Sequence, residues 1–366
     1  MFIKSIELSN FRNYEHLSME FHPEKNILYG DNAQGKTNIL EALYYCGMTK
    51  SHKGSKEKEI IKMNQKESHI RMYVKKKGNT RRVDMHLKRS KPKGIAIDGI
   101  PIHKSSELIG LVNIVFFSPE DLGIIKHGPS ERRRFIDMEL CQLDKLYFHD
   151  LTKYNQIVNQ RNNLLKQISF DKTLLDTLDI WDEQLIEYGS RIIKRRKKHI
   201  EQLNEVITRI HHKLSGGREQ LILEYEANTL EQDFGTKVVM NRERDLYQKI
   251  TTVGPHRDDV LFSIHGIDIR KYGSQGQQRT SALSLKLAEI ELIKNSIGEN
   301  PILLLDDVLS ELDRNRQNYL LDSIENIQTI ITCTGLEEFI QERIKINQVY
   351  KVTNGTVCKD SQLENL

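Results

Sequence analysis

The chain has 366 residues, 38 % hydrophobic and 29 % charged, which is enough apolar material for one large domain or two smaller ones and excludes a disordered or fibrous chain. Lys and Arg number 55 against 51 Asp and Glu, so the net charge of +4 does not by itself argue for nucleic acid. No run approaches eighteen consecutive apolar residues and the first seven residues carry charge, so a soluble, cytoplasmic chain without a signal peptide or membrane span is expected; Cys46, Cys141, Cys333 and Cys358 lie too far apart for a disulfide framework or a cysteine zinc site.

Short β-rich runs at 3–8, 26–29, 70–75, 82–88, 95–97 and 114–117 read as strands of a mixed sheet. Gly30-Asp31-Asn32-Ala33-Gln34-Gly35-Lys36-Thr37 follows the second of them and precedes a helical stretch at 38–46. This is G-x-x-x-x-G-K-[ST] in its required context, where backbone N–H groups and a helix N-terminus converge on phosphates. Lys36 would reach the β and γ oxygens of ATP and Thr37 would hold Mg²⁺. At ordinary residue frequencies the pattern arises by chance about once in a hundred chains of this length.

Residues 50–93 hold sixteen Lys or Arg and four Asp or Glu, a local surplus of twelve that leaves the rest of the chain acidic. That asymmetry points to a polyanion-binding face. Its candidate contacts are Lys53 and Lys56, with Lys75, Lys76, Lys77, Arg81 and Arg82 on a hairpin expected to turn at Gly78-Asn79. The alternative is a solvated hairpin that keeps the chain soluble.

From Ser130 to Ser215 the one glycine is Gly189, and no proline occurs between Pro129 and Pro255. Apolar residues recur there at three- and four-residue steps in two series, predicting an antiparallel helical hairpin that turns near 170–172, with arms of about 45 to 60 Å. An ordinary helical bundle is the alternative. A second basic run, Arg191 to Lys198, is either a binding surface or solvated helix. The flanks return to α/β patterning, with strands at 260–264, 302–305 and 329–332 and a helix at 279–295. The expected layout is therefore α/β at 1–125 and 251–366, interrupted by a helical insertion at 126–250.

Pro301-Ile302-Leu303-Leu304-Leu305-Asp306-Asp307 suits a buried parallel strand that delivers two acids at its C-terminal end. Asp306 would contact Mg²⁺ through water, and Asp307 would orient or deprotonate the attacking water. With Lys36 they form the candidate catalytic set. Ser274, Gly276 and Gln277 lie in a glycine-rich stretch before a helix-forming run. Read as a second anion-binding helix terminus it completes a partner's nucleotide site and implies a head-to-tail dimer; read plainly it is a turn before a helix.

These motifs, split by a helical insertion, resemble the ABC-type ATPase heads of SMC-related proteins, and most closely the bacterial RecF family. Leu8-Ser9-Asn10-Phe11-Arg12-Asn13-Tyr14, Phe117-Ser118-Pro119-Glu120-Asp121-Leu122, Ser130-Glu131-Arg132-Arg133-Arg134-Phe135-Ile136-Asp137 and Gly254-Pro255-His256-Arg257-Asp258-Asp259 are similar to that family as well. The resemblance implies a recombinational-repair clamp that dimerises on ATP, binds gapped or junction DNA, and assists RecA loading with RecO and RecR. It implies slow, release-coupled hydrolysis, Ser274, Gly276 and Gln277 facing the γ-phosphate across the dimer, and Asp313 at that interface. It also offers Arg12 and Asn13 as nucleotide contacts, a buried or DNA-facing arginine being the alternative for the first.

Two departures stand out from the wider ABC pattern. Asp307 replaces the usual Glu, and the switch histidine is missing, so that role would fall to Thr332 or Thr334. Glu120 is the candidate for the Q-loop position, and His256 is either a site residue or a structural turn histidine. Two rival functions fit parts of the pattern. An SMC-type tether needs far longer arms, and a transporter's nucleotide-binding subunit needs no basic segment at 50–93. A GTPase lacks its N-K-x-D motif.

Overall fold

The computed structural model describes residues 1–335 and 346–360. They divide into two compact units, one of residues 1–121 with 289 onward and the other of residues 122–288.

The first unit contains two six-stranded sheets. One is antiparallel throughout, in the order Tyr14–Glu20, Phe2–Phe11, Glu67–Lys76, Asn79–Lys88, Gly94–Ile97, Ile100–Ile102. Its strands alternate as a one-sided sheet should. Ile6, Leu8, Ile70, Met72, Val74, Val83, Met85 and Leu87 are buried, while Glu7, His69, Arg71, Asp84 and His86 point the other way. The basic hairpin turns one residue earlier than expected. Lys76 pairs with Asn79, so Lys77 and Gly78, with φ of 49° and 83°, are the two turn residues. Two central residues of positive φ match the right-handed strand twist, and Asn79 begins the return strand.

The other sheet has the order Thr356–Lys359, Gln348–Thr353, Lys25–Tyr29, Thr329–Cys333, Ile302–Asp306, Ile114–Phe117, parallel except for its terminal hairpin. The continuous apolar runs Ile302–Asp306 and Thr329–Cys333 are fully buried, as parallel strands covered on both faces must be. Helix Lys36–Met48 packs against strands of both sheets, which is why nearly its whole circumference is buried.

The second unit is built on the helices Pro129–Leu143, Lys145–Ile168 and Leu178–Leu214. The last two are antiparallel and keep one register along their length: Arg161 meets Asp182, Tyr154 lies against Gly189, and Tyr147 meets Arg196. A Cβ on Gly189 would sit 2.3 Å from the Phe234 ring, so the single glycine of this stretch marks a close approach of the Phe234 segment to the hairpin. Leu164, Leu165, Ile168 and Leu178 close the turn end of the hairpin with Trp181.

The second unit exceeds the expected insertion of 126–250. Strand Leu221–Glu226 falls inside the stretch read as helical and pairs with Asp259–Ile264, which in turn pairs with Ile267–Asp268. Arg132 grips Asp259 through both carboxylate oxygens, at 2.6 and 2.9 Å. This pairing groups residues 251–288 with the helices, beyond the expected boundary.

Candidate nucleotide site

The parallel sheet decides which residues meet. Strand Thr329–Cys333 lies between Lys25–Tyr29, which leads into the glycine-rich loop, and Ile302–Asp306, which ends in the acids. Thr332 stands opposite Asp306 in the ladder. Its hydroxyl donates to Asp306 Oδ1 at 2.8 Å and accepts from the Asp307 backbone N–H at 3.0 Å. Thr37, at the start of helix Lys36–Met48, donates to the same Asp306 oxygen at 2.8 Å. The site is therefore a threonine from each side converging on one carboxylate oxygen.

The loop backbone takes positive φ at Gly30, Ala33 and Gly35. At Gly35 a Cβ would lie 2.4 Å from Asn13 Nδ2 and 2.8 Å from the Tyr14 hydroxyl, so only glycine passes between them. Lys36 is buried, its ammonium turned back on the carbonyls of Gly30 at 2.5 Å and Asp31 at 2.8 Å. Asp31, Asn32 and Ala33 stand exposed at the loop's crest.

Two groups of neighbours brace this loop. Asn13 donates to Gln34 O at 3.1 Å and accepts from Asn38 at 2.8 Å, and Tyr14 donates to Gly35 O. The terminal hairpin turns at Asn354-Gly355, and the N–H groups of both residues reach Gln34, at 2.5 and 3.2 Å. Sequence reasoning missed Tyr14, Asn38 and Asn354. The Asn-Gly pair was a legible hairpin-turn signal, but nothing local says what that turn touches.

Asp307 carries φ of 56°, in the left-handed region that a non-glycine residue rarely occupies. Burial pushes its carboxyl above the ordinary aspartate range, and Asp306 and Glu311 add to this while Lys36 opposes it. Such a group takes up a proton more readily than a free aspartate, as a general base must. Thr37 Oγ1 and Asp306 Oδ1 form a compact pair of hard oxygen donors, which fits Mg²⁺ chemistry.

Other candidates sit elsewhere. Arg12 is spent on Glu41, which it holds through both oxygens at 2.7 Å, and on Ser55 and the Glu59 carbonyl. These contacts give it a structural role, with the side chain half-buried. Glu41, although burial opposes it, is thereby kept below the usual carboxylate range. Glu120 is exposed in a single 3-10 turn and Thr334 is exposed. Asp313 caps helix Arg314–Ser323 through the N–H groups of Asn315 and Arg316.

Ser274, Gly276 and Gln277 belong to the second unit. Ser274 and Gln277 form a reciprocal capping box: the Ser274 N–H donates to Gln277 Oε1 at 2.9 Å, and the Gln277 N–H to Ser274 Oγ at 3.2 Å. Ser274 and Gly276 remain exposed at this helix start, and Gln277 is anchored by Glu219 at 3.0 Å. His256 is structural. Its Nε2 faces the Thr251 carbonyl and must donate, which leaves Nδ1 to accept from Tyr154 at 2.7 Å. Burial lowers its pKa to about 4.

Much of the basic segment is neutralised where it stands. Arg81 pairs with Asp98 at 2.5 Å, Arg82 with Asp84 at 2.8 Å, and Lys76 turns inward to the Gly110 and Leu111 carbonyls. Alternation put Lys76 on the buried side, and the pairing carboxylates come from the same sheet, which a linear count of charge does not reveal. Lys53, Lys56, Lys75 and Lys77 are exposed with no ion pair among the described residues. The run 191–198 also divides: Arg195 pairs with Asp144 and Asp150, Arg196 is buried between Asp137 and Asp258, and Lys194, Lys197 and Lys198 face solvent. No helix among the described residues is long and apolar enough to cross a membrane.

The RecF/RecN/SMC N-terminal domain family matches residues 2–358. The DNA replication and repair protein RecF of Lachnoclostridium phytofermentans is 65 % identical over 359 residues, spanning 98 % of this chain and all of that protein. RecF of Clostridium botulinum strain Loch Maree is 47 % identical over 366 residues, again 98 % of this chain and all of its own. The solved structure of the recombination mediator RecF with ATP, in the RecFOR pathway, superposes with a TM-score of 0.92 at 37 % identity over 98 % of each chain. An Smc head bound to a winged-helix domain of ScpA, 15 % identical with a TM-score of 0.57, shares the ATPase-head fold alone. With this sequence similarity running the length of the chain and the phosphate loop, strand-end acids and helical insertion all in place, the chain belongs to the RecF family of DNA replication and repair proteins.

Proposed function

We propose that this chain is an ATP-dependent DNA clamp of recombinational repair. ATP would bind at Gly30 to Thr37, join two copies head to tail, and so create a DNA-binding form that assists RecA loading with RecO and RecR. The observation that carries the reading is the convergence of Thr37 and Thr332 on Asp306, with Asp307 beside them and the phosphate loop one strand away. The relatives' names and the ATP complex of a similar RecF support it.

Thr37 and Asp306 are the residues that would hold Mg²⁺, which when bound neutralises phosphate charge. Lys36 would exchange its loop carbonyls for phosphate oxygens, a stronger charge-assisted contact. Asp307, its proton affinity already raised, would take the proton of the attacking water, and Thr332 fixes its backbone beside Asp306. The exposed helix start at Ser274 and Gly276 would face the triphosphate of the partner copy, where the positive end of the helix favours an anion. The aspartate side chain is one methylene shorter than glutamate, consistent with slow hydrolysis that serves release. DNA would be held by Lys53, Lys56, Lys75 and Lys77, without base readout and with steep salt dependence.

Light scattering of the full chain with ATP, ADP or no nucleotide, with and without a short gapped duplex, tests this. The expected result is a doubled mass with ATP and not with ADP, and no doubling for Lys36→Arg. Equal mass in every condition would overturn the dimer and leave a monomeric nucleotide switch.

A further inference from the structure

The outward face of the antiparallel sheet carries a histidine pair that the nucleotide chemistry does not use. His69 and His86 stand directly opposite in the ladder, and Glu67, two residues before His69, shares their face. The imidazole rings stack with centroids 3.9 Å apart at 23°. His86 Nε2 lies 2.9 Å from Glu67 Oε2, and His69 Nε2 lies 3.9 Å from Glu67 Oε1. One donor atom from each residue falls within 4.8 Å of the other two. The two histidines line a groove of about 400 Å³ that also takes in Ser9, Arg71 and Pro101.

We propose that Glu67, His69 and His86 bind a divalent transition metal of the zinc type, with the fourth coordination position open to the groove. Metal–nitrogen bonds of about 2.0–2.1 Å in a tetrahedral site set donor atoms about 3.3 Å apart. The two separations from Glu67 fall on either side of that value, and to close the set the rings must turn out of their stack so that each presents a nitrogen edge-on to the ion. Two imidazoles and one carboxylate suit zinc or cobalt, whereas Mg²⁺ prefers oxygen and does not compete. Lys88, 3.9 Å from Glu67, is a flexible surface cation that swings clear. A bound ion would tie together the two strands of the hairpin that presents Lys75 and Lys77.

The test uses the full chain without an affinity tag or nucleotide, in excess Mg²⁺. Cobalt(II) is titrated by visible absorption and zinc by calorimetry. One ion per chain is expected, with tetrahedral cobalt bands that zinc removes. His86→Asn, which keeps a hydrogen-bond donor toward Glu67 and so the local fold, should weaken binding at least about tenfold, as should His69→Ala. Cys358→Ser should bind as the parent does, because the exposed thiol is outside the site. Zinc should raise the melting temperature of the parent and not that of His86→Asn. No bound metal, unchanged affinity in His86→Asn, or loss in Cys358→Ser would each overturn the assignment.

Discussion

Around Lys36 the charged groups are held short of their best partners, whereas Arg161 in the helical hairpin is shared between two buried carboxylates. Lys36 makes do with two loop carbonyls, and Asp307 sits in strained backbone with its proton affinity raised. Arg161 is completely buried, bonded at 2.6 Å to both Asp182 and Asp245 and at 3.0 Å to Thr251. The same chemistry serves two ends. A loop that must receive phosphate keeps its cation available, while a helix pair that must hold register satisfies every carboxylate it buries.

The largest effect expected from this contrast is Arg161→Ala. Buried Asp245 loses its cation and Asp182 keeps only Arg242, which costs about 3–5 kcal/mol, so the melting temperature should fall on the order of 10 °C. If it moves no more than for a surface substitution, the hairpin's pairs are not what holds its register. Asp306→Asn should behave oppositely. It keeps an oxygen for Thr37 and Thr332, so the melting curve should stay within about 1 kcal/mol while ATP-dependent mass doubling disappears. Coincident loss of both would remove the distinction between the two regions.

A smaller effect concerns pH. Folded His256 titrates at about 4, below the ordinary 6.5. Between those values the unfolded chain binds a proton that the folded chain does not, so stability falls as pH drops through that window and is fully present above it. The parent should lose up to about 3 kcal/mol from this residue by pH 4, and His256→Gln should flatten that part of the stability profile by chemical denaturation. The smallest effect sharpens the basic segment. Lys77→Ala should lower the slope of log affinity against log salt for duplex DNA by about 0.9, and Arg82→Ala, already paired, should leave it unchanged. Equal slopes for both would mean that the Arg82–Asp84 ion pair opens on binding.

Legibility followed the range of the interactions. The phosphate loop, the apolar strand ending in Asp306 and Asp307, and the helical hairpin were all readable, because each is written in consecutive residues or a fixed period. His256 shows the limit. Its sequence neighbours Arg257, Asp258 and Asp259 look like a charged site, yet its ring is claimed by Tyr154, about a hundred positions away. Arg132, Arg196, Asp258 and Asp259 likewise belong to one cluster that no local pattern joins. Arg12 was ambiguous for the same reason, since Glu41 lies on another element.

The sequence by itself determined the phosphate loop, the acids at the strand end and the two long helices, since backbone geometry, alternation and helical period act within a few residues. Only the tertiary structure decided that strand Thr329–Cys333 comes between the loop and the acids and hands Thr332 to both aspartates, that the Asn354-Gly355 turn braces Gln34, and which basic residues stay outside ion pairs. Those outcomes depend on strand order and on partners distant in sequence. Burial and electrostatic pairing, not local propensity, set them.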